Sequence, residues 1–407
     1  MKDSQRSTMM ASRRPGGPSM GQSARDRASF TLLDRIYRQV VPQLIATRVA
    51  WLMLLAIVLL CSASLAAVNI CGAELLEHQE MYILVGGAIL LVALVPSYRK
   101  IGNYANVFYI ITTILLAGVL FAPAVKGSHR WFSLPGGLEF QPSELAKISF
   151  AMITARYLRS QRDIRRFSAL LFPFVLMIIP MGLILVESDL GTAALFPLVL
   201  YAMLIAAGAR LRHLLAIALI AVAVAPGSYP MLKDYQKQRV IALLVHQQSA
   251  KQQLTVDEYQ IQQSKIALGS GGMLGEGLDG TDQIRHGLLP EASNDFIFSV
   301  VGSQWGFVGC AAIILLYIIF FGACLEIAGD SADSFGRLLV IGLATMIIGQ
   351  AIINIAMTVG LLPVVGITLP FMSYGGSAMA ADMLATSLIL NVAMRQRSGP
   401  ANRSENR

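Results

Sequence analysis

Apolar residues fall into ten long stretches along the chain, separated by short polar connections. Each stretch approaches the ~20 apolar residues that a helix needs to cross the hydrocarbon core of a membrane. Because the backbone groups of a lipid-facing segment must bond within that segment, such a run predicts a helix. The predicted spans are residues 49–70, 81–96, 104–125, 143–158, 167–186, 190–208, 211–232, 296–323, 336–358 and 375–394. The pattern therefore predicts an all-α polytopic membrane protein.

Composition supports this class of protein. Hydrophobic residues make up 55% of the 407 residues and charged residues only 14%, against about 25% charged in ordinary soluble domains. The net charge of +8 comes mainly from arginines in the N-terminal segment, the short connections and the C-terminal tail. That placement is typical of membrane topology signals. We expect membrane lipids as partners and no nucleic acid.

The same basic residues predict an orientation. Ten spans place both termini on one side, and four of the five connections and tails on that side are clearly basic; residues 325–337 are acidic on balance. The positive-inside rule then places both termini in the cytoplasm. Three outer segments remain, residues 126–147, 233–295 and 360–378. The second of these lies between spans 7 and 8 and is far longer than a usual connection, which marks it as a functional loop.

The two ends of the chain differ from the apolar middle. The first 30 or so residues are rich in Ser, Gly, Pro and Arg and have no apolar core of a signal peptide, as is typical of disordered segments. We predict a disordered, juxtamembrane cytoplasmic segment over residues 1–44, one transmembrane domain over 45–395 and a cytoplasmic tail over 396–407.

Two carboxylates, Glu291 and Asp295, stand four residues apart in LLPEASNDFIF, just before the eighth predicted span. A partly desolvated carboxylate exchanges protons nearer neutral pH, which suits a general base. An acid at the start of a helix also caps the first turn, so helix capping is the structural alternative for Asp295. Glu291 is expected either to orient the segment or to bind the acceptor substrate. The structural alternative is that its carboxylate is simply solvated.

Several longer motifs occur in a fixed order: KGSHRWF, FQPSELAK, SDLGT, YQIQQSKIALGSGG, LPE with DFIF, and GLLPVVGITLPFMSYGGS. Together they resemble the motifs of the SEDS family (shape, elongation, division and sporulation), and the resemblance extends over about residues 45–395. The family comprises ten-span membrane glycosyltransferases of the bacterial cytoplasmic membrane that polymerise the peptidoglycan precursor lipid II. SKIALGSGG and LLPVVGI are more similar to the elongation branch, RodA, than to the division branch, FtsW.

The resemblance implies a reaction and its requirements. A sugar hydroxyl attacks the anomeric carbon of a second sugar whose leaving group is a lipid-linked diphosphate, so the site needs a base and positive charge. Asp295 matches the aspartate before FIF in the family motif and is the expected base. No nucleotide is required; a divalent cation, Mg²⁺ or Mn²⁺, remains an option at the diphosphate. The implied partner is a class B penicillin-binding protein that acts as the transpeptidase.

Charged residues in the other motifs are candidates for substrate binding. Arg130, beside Trp131, suits a bidentate grip on a diphosphate, although an Arg-Trp pair also anchors helices at membrane interfaces. Lys147 lies one turn after Glu144, so the two either neutralise each other or contact substrate. Asp189, between two spans, is expected to pair with Arg130 or Lys147, or to hold a divalent cation.

The chain departs from the family at two places. Ser293 and Asn294 stand where His-Thr usually precedes DFIF, and Ser303 and Gln304 stand where an acidic pair usually follows. Asn294 retains the ability to hydrogen-bond Asp295 or an acceptor sugar, whereas Gln304 carries no negative charge. Asp382, in the last span, has no counterpart in the motifs and receives no role.

Two other functions remain open. One is a flippase for the lipid precursor, which should place charged residues along a path through the bilayer. The other is a non-catalytic scaffold that positions a transpeptidase, which has no need to keep Asp295, Arg130, Lys147 and Asp189 together.

Overall fold

The computed structural model describes residues 48–123, 128–133, 139–161, 163–228, 256–277, 284 and 286–396. These residues form twelve helices and one antiparallel pair of two-residue strands. The helices are α1 (Arg48–Cys71), α2 (Ala73–Leu94), α3 (Tyr98–Asn103), α4 (Ala105–Val119), α5 (Pro142–Ser160), α6 (Phe167–Val186), α7 (Leu190–Ala206), α8 (Leu211–Ser228), α9 (Val256–Ser270), α10 (Ile297–Asp330), α11 (Ser334–Thr358) and α12 (Gly376–Gln396). The strands are β1 (Phe132–Ser133) and β2 (Glu139–Phe140).

A helix occupies each of the ten predicted spans, which confirms the all-α membrane fold. Six helices of the described chain, α1, α2, α6, α10, α11 and α12, are long and apolar enough to cross a membrane. Apolar residues also fill α4, α7 and the first part of α8. The predicted second span began too late, because the acidic stretch before it continues the helix back to Ala73. The predicted segment 1–44, all but the first residue of the predicted tail 396–407, and much of 233–295 lie outside the described residues.

Two helices form the centre of the bundle. In the most apolar windows of α12 and α11, 78% and 67% of residues are buried, against 17% in α2. α12 packs along α2, α10 packs along α1, and α11 packs against both α5 and α7. Large apolar side chains on α1, α2, α6 and α10 are exposed, as expected of helices whose outer faces contact lipid.

A sharp change of direction interrupts α10 at Gly306, whose φ is 62°. The loop 271–277, which follows α9, packs against this kink: the amide of Phe307 donates to Gly272 O at 2.9 Å, and the amide of Glu276 donates to Ser303 O at 3.0 Å. A Cβ atom on Gly306 would stand 2.5 Å from the backbone nitrogen of Gly275. The glycines of this loop therefore allow tight turns and close backbone packing.

Residues 359–375 connect α11 to α12 without forming a helix. Most of residues 364–373 are buried, so their backbone polar groups need partners inside the protein. The start of α12 also contacts the β1–β2 pair, since Ser377 Oγ donates to Glu139 O at 2.7 Å and accepts from the amide of Gln141 at 3.1 Å. Parts of two predicted outer segments, 126–147 and 360–378, therefore meet at one end of the bundle.

Candidate active site

Asp295 lies in a tight turn just before α10 and is half-buried. The carbonyl oxygen of Glu291 accepts hydrogen bonds from the amides of Asn294 and Asp295, both at 3.1 Å. The Asn294 Nδ2 atom also donates to Glu291 Oε2 at 2.6 Å. Glu291 has a φ of 53°, a left-handed conformation that a residue with a Cβ adopts only where its surroundings hold it. The turn therefore has a fixed shape, built from the two carboxylate residues and Asn294.

Asp295 lies one residue before the N-cap of α10. The N-cap residue of α10 is Phe296, whose side chain has no acceptor, and the helix begins at Ile297. The backbone carbonyl of Asp295 accepts from Asn354 Nδ2 at 2.8 Å. A Cβ atom built on Gly366 would lie 3.6 Å from Asp295 Oδ2. The backbone of Asp295 is thus held by α11, and its carboxylate faces the 359–375 segment.

The 359–375 segment fixes the turn from the other side. Ser373 Oγ donates to Asn294 O at 2.6 Å, and the amide of Tyr374 donates to Ser293 O at 2.9 Å. Asn354 also donates to Ile367 O at 2.7 Å, so one buried amide side chain links the segment to Asp295. These contacts place the candidate base on a rigid support.

A cavity of about 320 Å³ opens beside the turn. Its lining combines apolar, hydroxyl, amide, aromatic and carboxylate groups: Cys71, Leu75, Ile284, Gly287, Leu289, Glu291, Ala292, Ser293, Asn294 and Tyr374. The Tyr374 ring packs against Tyr82 with a centroid separation of 5.6 Å. The volume is at the lower end of the range for small-ligand pockets, and the lining suits a polar ligand with an apolar face. Glu291 and Asn294, predicted to bind substrate, belong to this cavity.

Lys147 is buried in α5 with only 3% of its side chain exposed. Its Nζ donates to Glu144 Oε1 at 2.9 Å and to Gln350 Oε1 of α11 at 3.0 Å. The pairing with Glu144 that the spacing predicted is therefore present. A buried ion pair is costly unless its remaining hydrogen-bond donors and acceptors also have partners. Gln350 provides one such partner for Lys147. Glu144 Oε2 has no hydrogen-bond partner among the described residues.

Arg130 contacts the loop between α6 and α7. Its Nε donates to Glu187 O at 3.1 Å, and a second guanidinium nitrogen donates to Ser188 O. Glu187 is buried, and neither of its carboxylate oxygens has a hydrogen-bond partner in the described part of the chain. Burial, and to a smaller extent Asp189, raise the pKa of the Glu187 carboxyl to about 8, although Arg130 lowers it. A protonated Glu187 beside Arg130 would keep this guanidinium available for an anion.

Asp189 has a different place from the one predicted. It is the N-cap of α7, where its carboxylate accepts from the amide of Thr192 at 3.0 Å and from Thr192 Oγ1 at 2.9 Å. Gln141 Nε2 donates to the same carboxylate at 3.3 Å. The ion pairs formed by the described residues do not join Asp189 to Arg130 or Lys147. The SDLGT motif places Asp189 directly ahead of a helix, and the hydrogen bonds of the helix cap occupy its carboxylate.

The described residues contain no group of three or more His, Cys, Asp and Glu side chains that could hold a metal ion. Asp189, the acid predicted as a cation ligand, already uses its carboxylate to cap α7. The divalent cation stays a prediction, and no step below depends on it.

The separate groups meet at the 359–375 segment. Gln350, which binds Lys147, donates to Thr368 Oγ1 at 3.5 Å, one residue from the carbonyl that Asn354 binds. A Cβ on Gly191, in the first turn of α7, would lie 2.4 Å from a side-chain carbon of Ile367, so the Asp189 end of α7 packs tightly here. Gln350, Asn354 and Glu187 were not among the predicted site residues. Polar side chains inside or beside an apolar span are the signal that could have found them.

Comparison with known proteins identifies the family. Residues 42–398 match the family model for FtsW, RodA and SpoVE, described as "Cell cycle protein". The chain belongs to the FtsW/RodA/SpoVE family, the SEDS family. A relative from Geobacter sp. (strain M18), "Probable peptidoglycan glycosyltransferase FtsW", is 35% identical over 335 residues, which cover 80% of this chain and 88% of the relative. "Peptidoglycan glycosyltransferase MrdB" of Escherichia coli (strain K12) is 34% identical over 346 residues, which cover 84% and 92%.

Solved structures of the family share the fold. A chain from "Structural coordination of polymerization and crosslinking by a peptidoglycan synthase complex" aligns with a TM-score of 0.72 and 26% identity, covering 86% of this chain and 98% of that chain. The Thermus thermophilus rod shape determining protein RodA aligns with a TM-score of 0.64 and 25% identity, covering 85% and 97%. The predicted family and the all-α membrane fold are thus confirmed.

Proposed function

We propose that this protein is a peptidoglycan glycosyltransferase that polymerises lipid II, with Asp295 as the general base. Relatives that match over four fifths of the chain carry the name peptidoglycan glycosyltransferase. The observation that supports the assignment of the base is the turn at 291–295: Asn354 of α11 holds the backbone of Asp295, and the preceding residues of the same turn, Glu291 to Asn294, line a cavity.

The groups around Asp295 fit the two halves of such a reaction. On one side, the cavity lined by Glu291, Ser293, Asn294 and Tyr374 offers hydroxyl, amide and aromatic contacts to the acceptor sugar. Asp295 would take the proton from the attacking hydroxyl as the new glycosidic bond forms. The bond from the anomeric carbon to the lipid-linked diphosphate breaks, and the diphosphate leaves with its electron pair.

Positive charge is needed where the diphosphate leaves. Arg130 is the better candidate among the predicted cations, because its bonds go to backbone carbonyls and leave its positive charge without a carboxylate partner within 4 Å among the described residues. Lys147 is buried and already paired with Glu144, so a direct role requires that the pair open. We propose that Arg130 contacts the diphosphate and that Lys147 and Glu144 support the site from within.

A flippase fits the arrangement less well. The charged groups assigned above lie at the first turns of α5 and α7 and in the connections at the same end of the bundle, so they do not mark a path through the bilayer. A scaffold remains an alternative, because Ser293, Asn294, Ser303 and Gln304 depart from the family motifs. We favour the enzyme, since the chain retains Asp295, Arg130 and Lys147 and its relatives carry the name peptidoglycan glycosyltransferase.

The partner, membrane and role in the cell follow from the same proposal. The match to a chain of a peptidoglycan synthase complex supports a class B penicillin-binding protein as the transpeptidase partner. We propose the bacterial cytoplasmic membrane, with both termini in the cytoplasm and the Asp295 end outside. A role in elongation stays a prediction, because relatives named FtsW and MrdB match with nearly equal identity.

The test is polymerisation of lipid II by the purified protein, alone and with its cognate transpeptidase. Glycan strands should form and should survive addition of a transpeptidase inhibitor, because the two activities are separate. If the wild-type protein, folded and bound to its partner, makes no glycan, the scaffold replaces the enzyme. Movement of lipid II across liposome membranes without polymer would instead favour the flippase.

A further inference from the structure

A second cavity, of about 270 Å³, lies at the opposite end of α5 from Glu144 and Lys147. Three arginines on two helices line it, Arg99, Arg156 and Arg159, together with Asn103, Ser160 and Phe335. No acid is among its lining residues. The family motifs do not include this cavity, and the proposed reaction does not use it.

The length of α5 places this cavity at the other membrane surface. The helix has 19 residues from Pro142 to Ser160, which at 1.5 Å per residue separates its ends by about 27 Å. That distance is close to the thickness of the hydrocarbon core. Basic residues are concentrated at this end, which the positive-inside rule assigns to the cytoplasm.

Arg99 is held in position by an aromatic pair and an acid. Its Nε donates to Tyr98 Oη at 3.1 Å, and its guanidinium carbon lies 5.3 Å from the centre of the Tyr98 ring. The Tyr98 ring stacks on Phe335 at 6.2 Å with an interplanar angle of 7°. Asp333 lies 3.5 Å from Arg99 Nε. These contacts restrict the side chain before any ligand arrives, which lowers the entropy lost on binding.

The other two arginines are oriented from α5. Arg156 donates from one nitrogen to Gly102 O at 3.0 Å and also to Asn103 O, at the end of α3. Arg159 Nε lies 3.8 Å from Asp333 Oδ1, so Asp333 is shared between Arg159 and Arg99. Among the described residues, Arg99 and Arg159 therefore share one carboxylate, while Arg156 donates to backbone carbonyls. Most of the fifteen N–H donors of the three arginines, five for each, remain available.

Arginines that act only as a topology signal need to lie at this end of the bundle, but they do not need to line a common cavity. Guanidinium groups have a planar fork that matches phosphate oxygens, and they form stronger hydrogen bonds to anions than to neutral acceptors. Basic pockets between transmembrane helices at the cytoplasmic surface are suited to the phosphates of anionic lipids, which are enriched in that leaflet. Phe335 adds an apolar wall.

We propose that this cavity, lined by Arg99, Arg156 and Arg159, binds the phosphate of an anionic glycerophospholipid from the surrounding membrane. The ligand chemistry is a phosphodiester at the membrane surface. A soluble phosphate group could accept hydrogen bonds from the same arginines. The test therefore distinguishes a membrane lipid from a soluble phosphate.

The experiment uses the full-length protein in detergent and measures retained lipid by native mass spectrometry during titration with phosphatidylglycerol or phosphatidylcholine. The pocket variant is Arg99→Lys/Arg159→Lys, which keeps the net charge and the topology signal but removes the planar forks. The matched control is Arg165→Lys/Arg212→Lys, since these exposed arginines lie outside the cavity at the same end. We expect the wild-type protein and the control variant to bind phosphatidylglycerol more tightly than phosphatidylcholine. The pocket variant should bind phosphatidylglycerol at least about tenfold more weakly than wild type, because tenfold corresponds to the loss of one charge-assisted hydrogen bond.

Three results would overturn the proposal. They are equal binding of the two lipids by wild type, equal loss in the pocket and control variants, and displacement of bound phosphatidylglycerol by millimolar inorganic phosphate. The last result would assign the cavity to a soluble phosphate. If the double variant unfolds, as measured by its thermal transition without added lipid, the single variant Arg159→Lys, which loses the fewest internal contacts, is titrated in its place.

Discussion

Asp382, in the last helix, accepts a hydrogen bond from the backbone amide of Phe371 at 3.3 Å. Phe371 has a φ of 62°, a conformation that costs energy for a bulky residue and persists only when its surroundings enforce it. Two neighbouring carbonyls are also held: Tyr317 Oη donates to Pro370 O and Ser64 Oγ to Met372 O, both at 2.6 Å. Side chains from several helices thus fix the segment that supports the turn of Asp295.

The first prediction concerns this support. Asp382→Ala removes the acceptor and leaves the buried amide of Phe371 unpaired, which should cost about 1–3 kcal/mol of stability. Because residues 373 and 374 hold the turn at 293–295, we also expect slower polymerisation at saturating lipid II. Asp382→Asn keeps an acceptor oxygen and should restore both properties. Thermal unfolding and polymerisation rates of the two variants test this; an Asn variant as impaired as the Ala variant would show that the charge matters, and not the hydrogen bond.

The second prediction concerns Lys147. Lys147→Met leaves Glu144 buried without its partner, and breaking one side of a buried pair costs about 3–5 kcal/mol. Adding Glu144→Gln removes the lone charge, so the double variant should unfold at a higher temperature than the single variant. Polymerisation should recover with stability if Lys147 is only structural. A double variant that is stable but makes no glycan would assign Lys147 a contact with the diphosphate.

The third prediction follows from the pKa of about 8 for buried Glu187, against 4.5 for an ordinary glutamate. The folded protein holds this proton more tightly than the unfolded chain, so stability falls as pH rises between these values, by up to about 1.4 kcal/mol per pH unit. Glu187→Gln should remove that slope and make the protein relatively more stable near pH 8. Thermal unfolding from pH 5 to 8.5 measures it, and equal slopes for wild type and variant would contradict the assignment.

The fourth prediction concerns orientation. Single cysteines at Ser160 and at Glu276, in a background without the four native cysteines, lie at exposed positions near opposite ends of the bundle. With the Asp295 end outside, an impermeant thiol reagent should label the Glu276 cysteine in intact cells, and the Ser160 cysteine only after permeabilisation. The reverse pattern would place the proposed site in the cytoplasm, away from the sugars of lipid II.

The pattern of long apolar stretches predicted the helices well because lipid requires the same of every span, about 20 apolar residues with backbone groups bonded within the segment. It predicted α6 over 167–186 without error. The sequence could not show how the polar groups inside the bundle pair, because those contacts join residues far apart in the chain. Gln304 is an example: the motif departure suggested a lost charge near the site, but the side chain is buried, with Nε2 3.5 Å from Ala66 O of α1.

The candidate site was predicted in part. The spacing of Glu144 and Lys147 gave their pairing as one of two alternatives, because i and i+3 side chains lie on one helix face, and the structure contains that pair. Asp189 was expected to pair with Arg130 or Lys147 or to bind a divalent cation. In the structure its carboxylate accepts hydrogen bonds from Thr192 at the start of α7. Residues 360–378 were predicted as a connection between spans, but the contacts that Asn354, Ser373 and Asp382 make there were not, because a local pattern contains no information on them.

The last prediction concerns Asp295 itself. Asp295→Asn retains the size of the side chain, and the bond from Asn354 to the backbone of residue 295 does not depend on it, so the variant should fold and bind its partner normally. Loss of positioned proton transfer should slow glycan synthesis about a hundredfold to ten-thousandfold. Glu291→Gln is the matched control, because it removes the other carboxylate of the same turn but keeps an oxygen that can accept from Asn294. We expect that control to bind acceptor less well but to retain the rate at saturating lipid II. If Asp295→Asn instead makes near-normal polymer while Glu291→Gln makes almost none, the base is Glu291, and the turn has the opposite assignment of its two acids.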